Sequence, residues 1–363
     1  MINKAQIEDY LERVCAKMMT MKNENMQEVF PISLIDINCW EWPQGIGIFG
    51  LYKHYTITKS DETLQFLIHW FDDRIREGIL EKNVNTTAPM LTLTYLYEIT
   101  KKQEYLELII EWTDWIMKDK KLIRTGDECF QHMITKNAND GEILIDTLFM
   151  AVLFLARAGK LLHRQDCIDE ASYQVLAHIK YLFNKKEGLF YHGWNFNYNH
   201  NYGEVLWGRG NGWYTVVVLE LCDEGVLNDT VKRYLLSVFH QQVKALAKYC
   251  DADKKLWHTV IPNTNTYIEI SASAAFLYGI ARGVRAGVLD KAQYQTLITD
   301  GVQEIVRYID KDGTVNNVSY GTPIGDSEAF YENIPCCAMT YGQALMVLLL
   351  QELLQDYWQN AEQ

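Results

Sequence analysis

The chain has 363 residues, of which 48% are hydrophobic, and a formal net charge of −13. No Pro-, Gly- or Ser-rich linker divides it, so we predict one domain spanning 1–363 with a large core. The acidic balance argues against nucleic acid and anionic membranes as partners, since both require basic surfaces.

Twelve segments with the apolar periodicity of helices follow one another along the chain. From the second onward, segments nearly free of charge alternate with segments that carry one apolar stripe and one charged face. A helix that is apolar all round must be buried, whereas a helix with one stripe covers a core from outside. Six inner and six outer helices predict an all-α fold, an (α/α)6 barrel. The charge-poor segments begin near 45–55, 86–99, 146–159, 210–222, 270–284 and 336–354.

The connections between these helices differ in length according to their direction. Inner helices pass to outer ones through a few residues, as at 57–60, 101–102 and 163–165. Connections of one direction emerge at the same end of a helical barrel, and long loops on a rigid scaffold often carry function. We therefore predict the site at the mouth formed by the long return connections. These are 20–41, 78–85, 120–144, 181–206, 251–267 and 310–335.

The segment GIGIFG (45–50) matches the GxGxxG pattern of dinucleotide-binding loops. It follows Trp42-Pro43-Gln44 rather than a strand, and no βαβ unit surrounds it. We interpret its glycines as sites of close helix packing. The eight cysteines show neither CxxC spacing nor histidines at zinc spacing, so we predict no cofactor and no metal. Reduced thiols, together with the lack of a signal peptide or membrane span, predict a cytoplasmic protein.

The segment WGRGNGW (207–213) is the most specific motif in the chain. Trp207 and Trp213 offer flat apolar faces, and Arg209 offers a bidentate partner for a carboxylate. Asn211 offers both donor and acceptor groups, and the three glycines would let a ligand approach the backbone. These are the groups that a sugar acid requires. The alternative is a helix N-terminus with packed tryptophans.

Asp146 opens an inner helix that is otherwise free of acids for several turns. One interpretation is a helix N-cap, which would stabilise the helix by roughly 0.5 to 2 kcal/mol. The other is a carboxyl group in a partly apolar pocket, where burial would raise its pKa toward a value useful for proton donation. Further candidates lie nearby in the long loops, although a structural role is the alternative for each histidine and tryptophan. They are Trp40, Trp42, Asn85, His132, Met133, Lys136 and His192.

These motifs, with DTLFM (146–150), FLARAG (154–159), YHGW (191–194) and SASAAFLYGIARGV (271–284), resemble glycoside hydrolase family 105. These are the unsaturated rhamnogalacturonyl hydrolases, relatives of the unsaturated glucuronyl hydrolases of family 88. The resemblance runs from Trp40 to about Leu354 and implies an (α/α)6 barrel without a metal. It implies removal of unsaturated galacturonic acid from the non-reducing end of the small oligosaccharides that pectin lyases leave.

The resemblance also implies a mechanism with one carboxyl group. The substrate is a vinyl ether: protonation of C4 gives an oxocarbenium ion at C5, water adds there, and the hemiketal opens and expels the aglycone. One acid can deliver the proton and then, as carboxylate, deprotonate the water. Asp146 matches the family's catalytic aspartate. The implied uronate ligands are His192 and Arg209, and the implied walls are Trp207, Trp213 and Trp40 or Trp42.

The chain departs from these families at two positions. Family 88 enzymes carry a second aspartate near the second inner helix, where VNTTAPM (84–90) offers only Asn85. This argues against a two-carboxylate mechanism and a close family 88 identity. Where related sequences read ETSAS, this chain has EISAS, and Ile270 implies either a packing change or a lost substrate contact.

Three other functions stay open at this point. One is an unsaturated glucuronyl hydrolase of the family 88 type. Another is a sugar epimerase or isomerase with paired histidines, and the third is a non-catalytic oligosaccharide-binding protein, because a fold does not determine function. The sequence leaves both a monomer and a homodimer open, as well as the preferred aglycone.

Overall fold

The computed structural model describes residues 2–22, 35–79, 81–118, 122–135 and 137–357. In these residues, twelve long helices alternate between an inner and an outer position. The inner helices are α2 (Trp42–Thr58), α4 (Val84–Thr100), α6 (Leu153–Leu161), α8 (Gly208–Glu224), α10 (Ile270–Arg285) and α13 (Thr340–Glu352). The outer helices are α1 (Lys4–Thr20), α3 (Asp61–Glu77), α5 (Gln103–Met117), α7 (Gln165–Leu182), α9 (Asp229–Tyr249) and α11 (Lys291–Ile305). A short helix, α12 (Glu328–Glu332), precedes α13.

The inner helices form a closed ring. Helix α2 packs against α4, and the contacts continue from α4 through α6, α8, α10 and α13 back to α2. Each outer helix packs against one inner helix: α3 on α2, α5 on α4, α7 on α6, α9 on α8, α11 on α10 and α1 on α13. The predicted (α/α)6 barrel is confirmed.

The charge distribution explains which helices lie inside. In α2 the run Trp42–Leu51 is buried without interruption. In α3 the buried positions form a single stripe, as expected of a helix that covers a core from one side; they are Thr63, Leu67, Trp70 and Phe71. None of the described helices is long and apolar enough to cross a membrane.

Glycines let the inner helices approach one another closely. A Cβ atom on Gly45 would lie 2.7 Å from the backbone nitrogen of Pro89 in α4. One on Gly50 would lie 3.0 Å from the Cα atom of Ala344 in α13. The interpretation of GIGIFG as a packing motif is thus confirmed.

Short two-stranded sheets lie in the long connections. Strand β1 (Glu142–Leu144) pairs antiparallel with β4 (Gly193–Asn195), and β2 (Phe183–Asn184) pairs with β3 (Leu189–Phe190). Strand β5 (Val318–Ser319) pairs with β6 (Cys336–Cys337). The last inner segment was expected to begin near 336, but residues 336–337 form β6, and α13 begins at Thr340. Pairing of β6 with β5 uses backbone groups that a helix would need.

The end of the ring with short connections is closed by buried ion pairs. Glu220 of α8 lies 2.6 Å from Lys53 Nζ and 3.1 Å from Arg282 Nη1, and it accepts a hydrogen bond from Tyr278. Burial raises the pKa of Glu220, but the two cations outweigh burial and lower it to about 2. These groups fill the far end of the ring, which leaves the end with long loops for a cavity.

We predict that Gly45→Ala destabilises the protein by about 1 to 3 kcal/mol, because the added methyl group would overlap the backbone of α4. Gly47→Ala is the matched control in the same helix, since its Cβ would meet its nearest neighbour, Thr340 Cβ, at 3.4 Å. This variant should be as stable as the wild type, or more stable by up to about 1 kcal/mol, because alanine favours a helix more than glycine does. Denaturant unfolding of both variants measures the difference. Equal stabilities would contradict the packing role of Gly45.

Candidate active site

A cavity of about 330 Å³ opens at the end of the ring where the inner helices begin. Its walls come from the starts of α2 and α4, the loop after α5, strand β1 and the segment 321–324. The apolar side includes Ile134, Leu144, Met150 and Ile324. The polar side includes Glu41, Asn85, His132, Thr135, Glu142 and Asp146. The cavity thus lies among the long connections, where loop lengths predicted it.

The carboxyl group of Asp146 has two different oxygens. Oδ1 accepts a hydrogen bond of 2.9 Å from Nε1–H of Trp213. Oδ2 lies 3.3 Å from Nε2 of His192, but the two are not aligned, and both atoms are buried without a hydrogen-bond partner. The side chain is 13% exposed and lines the cavity. The side chain caps no helix, since the hydrogen bond that it accepts comes from Trp213 of α8.

Local backbone pairing places His192 beside Asp146. In the β1–β4 pair, Leu144 is opposite Gly193, and the N–H of Ile145 donates to the carbonyl of His192 at 3.0 Å. After Asp146 the chain enters a π-helical turn (Leu148–Val152) before α6 begins. Such turns occur frequently at functional sites. The turn and the strand pair together aim Asp146 into the cavity.

His192 is 3% exposed and is not among the residues that line the cavity, so its predicted contact with the uronate is corrected: it lies behind Asp146. Its Nδ1 lies 2.8 Å from the hydroxyl of Tyr331, and its ring centroid is 4.3 Å from that of Trp207. Trp207 is 1% exposed and does not line the cavity. The expectation that Trp207 forms a wall for the sugar is therefore corrected: it packs against the back of His192.

Arg209 is also engaged within the protein. Its Nη1 donates to the carbonyl of Ser319 at 2.8 Å, and its Nη2 donates to the carbonyl of Tyr320 and the hydroxyl of Thr322. The side chain is 1% exposed, and its guanidinium lies over the rings of Trp207 and Tyr341. The predicted uronate contact is corrected, because these bonds instead hold the segment that continues into the cavity wall at 321–324.

Asn211 and the motif glycines have structural roles as well. Asn211 Oδ1 accepts from the N–H of Phe190, and its Nδ2 donates to the carbonyl of the same residue. This anchors β3, two residues before His192. A Cβ on Gly212 would lie 3.0 Å from Ala275 Cβ, and one on Gly210 would lie 2.9 Å from the Trp207 ring. The predicted ligand approach at these positions is corrected to close packing.

The remaining tryptophans divide between cavity and core. Trp42 lines the cavity and stacks on Tyr341 with centroids 4.8 Å apart. Trp213 is fully buried with its N–H on Asp146. Trp40 stacks on Trp70 and donates to a backbone carbonyl, so the structure places it in the core rather than at the cavity.

The other candidate residues also divide between cavity and core. His132 and Asn85 line the cavity, and Nδ1 of His132 lies 2.8 Å from the hydroxyl of Thr147. Met133 is half-buried against the core and is not among the lining residues. Lys136 lies outside the described residues. Ile270 is fully buried and away from the cavity, which agrees with a packing change at that position.

Sequence reasoning missed several groups at the cavity. Glu41 is 5% exposed and accepts hydrogen bonds from the Thr135 hydroxyl and the Trp42 backbone N–H. Glu142 accepts from Tyr202. An acid just before an inner helix was a usable signal for Glu41, as it was for Asp146. The segment 321–324 and Tyr331 carried no such signal, because both come from a long connection without periodicity.

Burial and neighbouring charges together shift the pKa values of these groups. Burial raises the pKa of Asp146, but His192, His132 and Arg209 outweigh burial and lower it overall. The expectation of a raised pKa for Asp146 was therefore wrong for the protein alone. Burial lowers the pKa of His132 to about 4 and raises the pKa of Glu41.

Comparisons with known proteins identify the family of the chain. The chain matches the family model described as Glycosyl Hydrolase Family 88 over residues 10–357. The unsaturated rhamnogalacturonyl hydrolase YesR of Bacillus subtilis (strain 168) is 26% identical over 324 residues, covering 87% of this chain and 90% of YesR.

Two crystal structures, each described as a possible member of the GH105 family, have the same fold. The protein from Klebsiella pneumoniae subsp. pneumoniae MGH 78578 is 36% identical with a TM-score of 0.92, covering 98% of this chain and 95% of that chain. The protein from Salmonella enterica subsp. enterica serovar Paratyphi A str. ATCC 9150 is 35% identical with a TM-score of 0.93, covering 98% of this chain and 96% of that chain.

Asn85 does not place the chain outside family 88, since the family 88 model matches nearly all of the chain. The chain belongs to glycosyl hydrolase family 88, and it is a glycoside hydrolase.

Proposed function

We propose that this glycoside hydrolase removes unsaturated galacturonic acid from the non-reducing end of rhamnogalacturonan lyase products. One observation carries the proposal: the side chain of Asp146 lines the cavity, one of its carboxyl oxygens is held by Trp213, and the other has no hydrogen-bond partner. The similarity to YesR, an unsaturated rhamnogalacturonyl hydrolase, supports the substrate class.

The two oxygens of Asp146 have separate roles in the proposed reaction. Oδ1 is fixed by the indole N–H, so Oδ2 carries the proton that is transferred to C4 of the C4=C5 double bond. The resulting oxocarbenium ion at C5 adds a water molecule, whose proton returns to Oδ2. The hemiketal then opens, the bond to the aglycone breaks, and the aglycone leaves as an alcohol. One water molecule is consumed and Asp146 is restored.

The proposed reaction requires Asp146 to be protonated, although its pKa in the protein alone is lowered. A bound uronate brings a further carboxylate into a cavity that already contains Glu41 and Glu142 beside Asp146. A like charge disfavours ionisation, so substrate binding would raise the pKa of Asp146. The acid would thus become protonated when its substrate is present.

Recognition of the uronate carboxylate is assigned to Lys136. Among the described residues that line the cavity there is no Lys or Arg. Lys136 stands in the sequence between Thr135 and Asn137, which both line it. We assign to it the role that the sequence pattern suggested for Arg209.

The neutral polar groups and the apolar wall suit the rest of the sugar. Asn85 and Asn139 line the cavity and can bond hydroxyl groups as donors or acceptors. The indole of Trp42 and the side chains of Pro323 and Ile324 offer apolar contact for C–H faces. We therefore propose a small oligosaccharide as the binding partner.

The epimerase alternative is not favoured by the histidines. His132 has its pKa lowered to about 4 by burial and contacts Thr147, which makes it a weak base.

We retain a cytoplasmic location as part of the proposal, on the grounds of composition; the eight cysteines are free thiols.

We predict that the protein bleaches the ultraviolet absorbance of an unsaturated galacturonyl-rhamnose disaccharide. Asp146→Asn should reduce kcat by about 100-fold or more, because the proton donor is removed while the hydrogen bond from Trp213 can be kept. The absorbance assay with both proteins measures the effect.

Asp140→Asn is the matched control, since Asp140 is an exposed acid in the same loop and does not line the cavity. Its activity should equal that of the wild type. Unsaturated glucuronyl disaccharides belong in the same panel and distinguish the family 88 type of substrate. Constant absorbance with every unsaturated disaccharide would reject the proposed function, and so would an Asp146→Asn variant with full activity.

We predict that Lys136→Met raises KM by about 10- to 100-fold with little change in kcat, because a charge-assisted hydrogen bond to the uronate is made before and during the reaction. Steady-state kinetics on the same disaccharide measures this split. Lys186→Met, which changes a lysine whose side chain is 89% exposed, is the control and should leave both constants unchanged. An unaltered KM in Lys136→Met would remove Lys136 from the binding site.

A further inference from the structure

The hydroxyl of Tyr331 lies between the cavity wall and His192. Tyr331 belongs to α12, is 1% exposed and packs in a small apolar cluster with Val205, Trp207 and Val260. Its Oη accepts a hydrogen bond of 3.0 Å from the N–H of Gly325 and lies 2.8 Å from Nδ1 of His192. The cluster holds the ring, so the hydroxyl position is determined by packing.

The chemistry of these groups sets the direction of the hydrogen bond to His192. A backbone N–H can only donate, so Tyr331 Oη is an acceptor toward Gly325 and its own hydrogen is left for another partner. Among the described residues, Nδ1 of His192 is the acceptor within reach. A buried hydroxyl hydrogen without an acceptor is costly, so Tyr331 donates and Nδ1 accepts.

The other ring nitrogen follows from this assignment. A neutral imidazole that accepts at Nδ1 carries its hydrogen on Nε2. Nε2 lies 3.3 Å from Oδ2 of Asp146. With a hydrogen already on Nε2, the neutral imidazole cannot take the proton of Asp146, so that proton is not lost to His192.

We propose that Tyr331 is a positioning residue that holds His192 in the Nε2–H form and thereby reserves the proton of Asp146 for the substrate. The proposal rests on the hydrolase reaction proposed above. It also connects the cavity wall to the acid, because Gly325 directly follows the lining segment 321–324. Other titratable groups lie around Asp146 and Tyr331 or along the cavity. They are His132, Arg209, Glu41, Glu142, Tyr202 and Asp326.

The test is Tyr331→Phe, which keeps the ring and removes the hydroxyl. We expect kcat to fall by about 10- to 100-fold, the usual effect of losing a group that orients a site residue, with KM changed less than about threefold. A purely structural role would lower the stability of the variant but would not change which nitrogen of His192 carries the hydrogen.

Nitrogen-15 spectra of histidine-labelled protein give a second readout that does not depend on activity. The wild type should show His192 with a hydrogen on Nε2, and Tyr331→Phe should show a mixture of both neutral forms. Tyr267→Phe is the matched control: its hydroxyl contacts the backbone carbonyl of Tyr331 and not His192. That variant should keep the wild-type form of His192 and the wild-type kcat.

Three results would overturn the proposal: wild-type His192 with its hydrogen on Nδ1, a Tyr331→Phe variant with unchanged kcat, or a Tyr331→Phe variant in which His192 keeps the wild-type form. The first can be measured even if Tyr331→Phe fails to fold. A wild-type protein inactive on all unsaturated disaccharides would reject the proposed function instead, and the Nε2–H form in the spectra would then stand as a structural finding alone.

Discussion

Six helices without charged faces can be buried on every side only by closing into a ring, and the other features of the molecule depend on that closure. The ring from α2 through α13 needs glycines such as Gly45 where helices come closest. It directs every connection to one of two ends. One end is filled by Glu220 and its cations, so the other can hold a cavity.

The acid at that cavity depends on partners from three different parts of the chain. Trp213 lies in α8, His192 directly precedes β4, and Tyr331 lies in α12. Burial raises the pKa of Asp146, but one of these partners, His192, lowers it together with His132 and Arg209, and the net effect is a lowered pKa. An acid of this kind needs the charge of its substrate to become protonated, which would couple binding to the proton transfer.

The WGRGNGW motif acts mainly as a scaffold for the groups around the cavity. Arg209 holds the segment 319–322, Asn211 holds β3, and Trp207 supports the ring of His192. Only Trp213 bonds directly to Asp146. A motif of this composition was expected to contact ligand because its residue types suit a sugar acid. The same types also suit the anchoring of buried loops, and residue type alone does not distinguish the two uses.

From the sequence by itself, the inner and outer helices, the lengths of the connections and the position of Asp146 at the mouth could be predicted. Periodicity and charge are local properties of a segment, and burial follows from them. The tertiary structure alone decided that Trp40 and Arg209 turn away from the cavity, that Glu41 and the segment 321–324 form its walls, and that the pKa of Asp146 is lowered. Side-chain direction and electrostatic potential depend on neighbours that are distant in sequence, as Asp146 and Tyr331 are. A local sequence pattern does not contain that information.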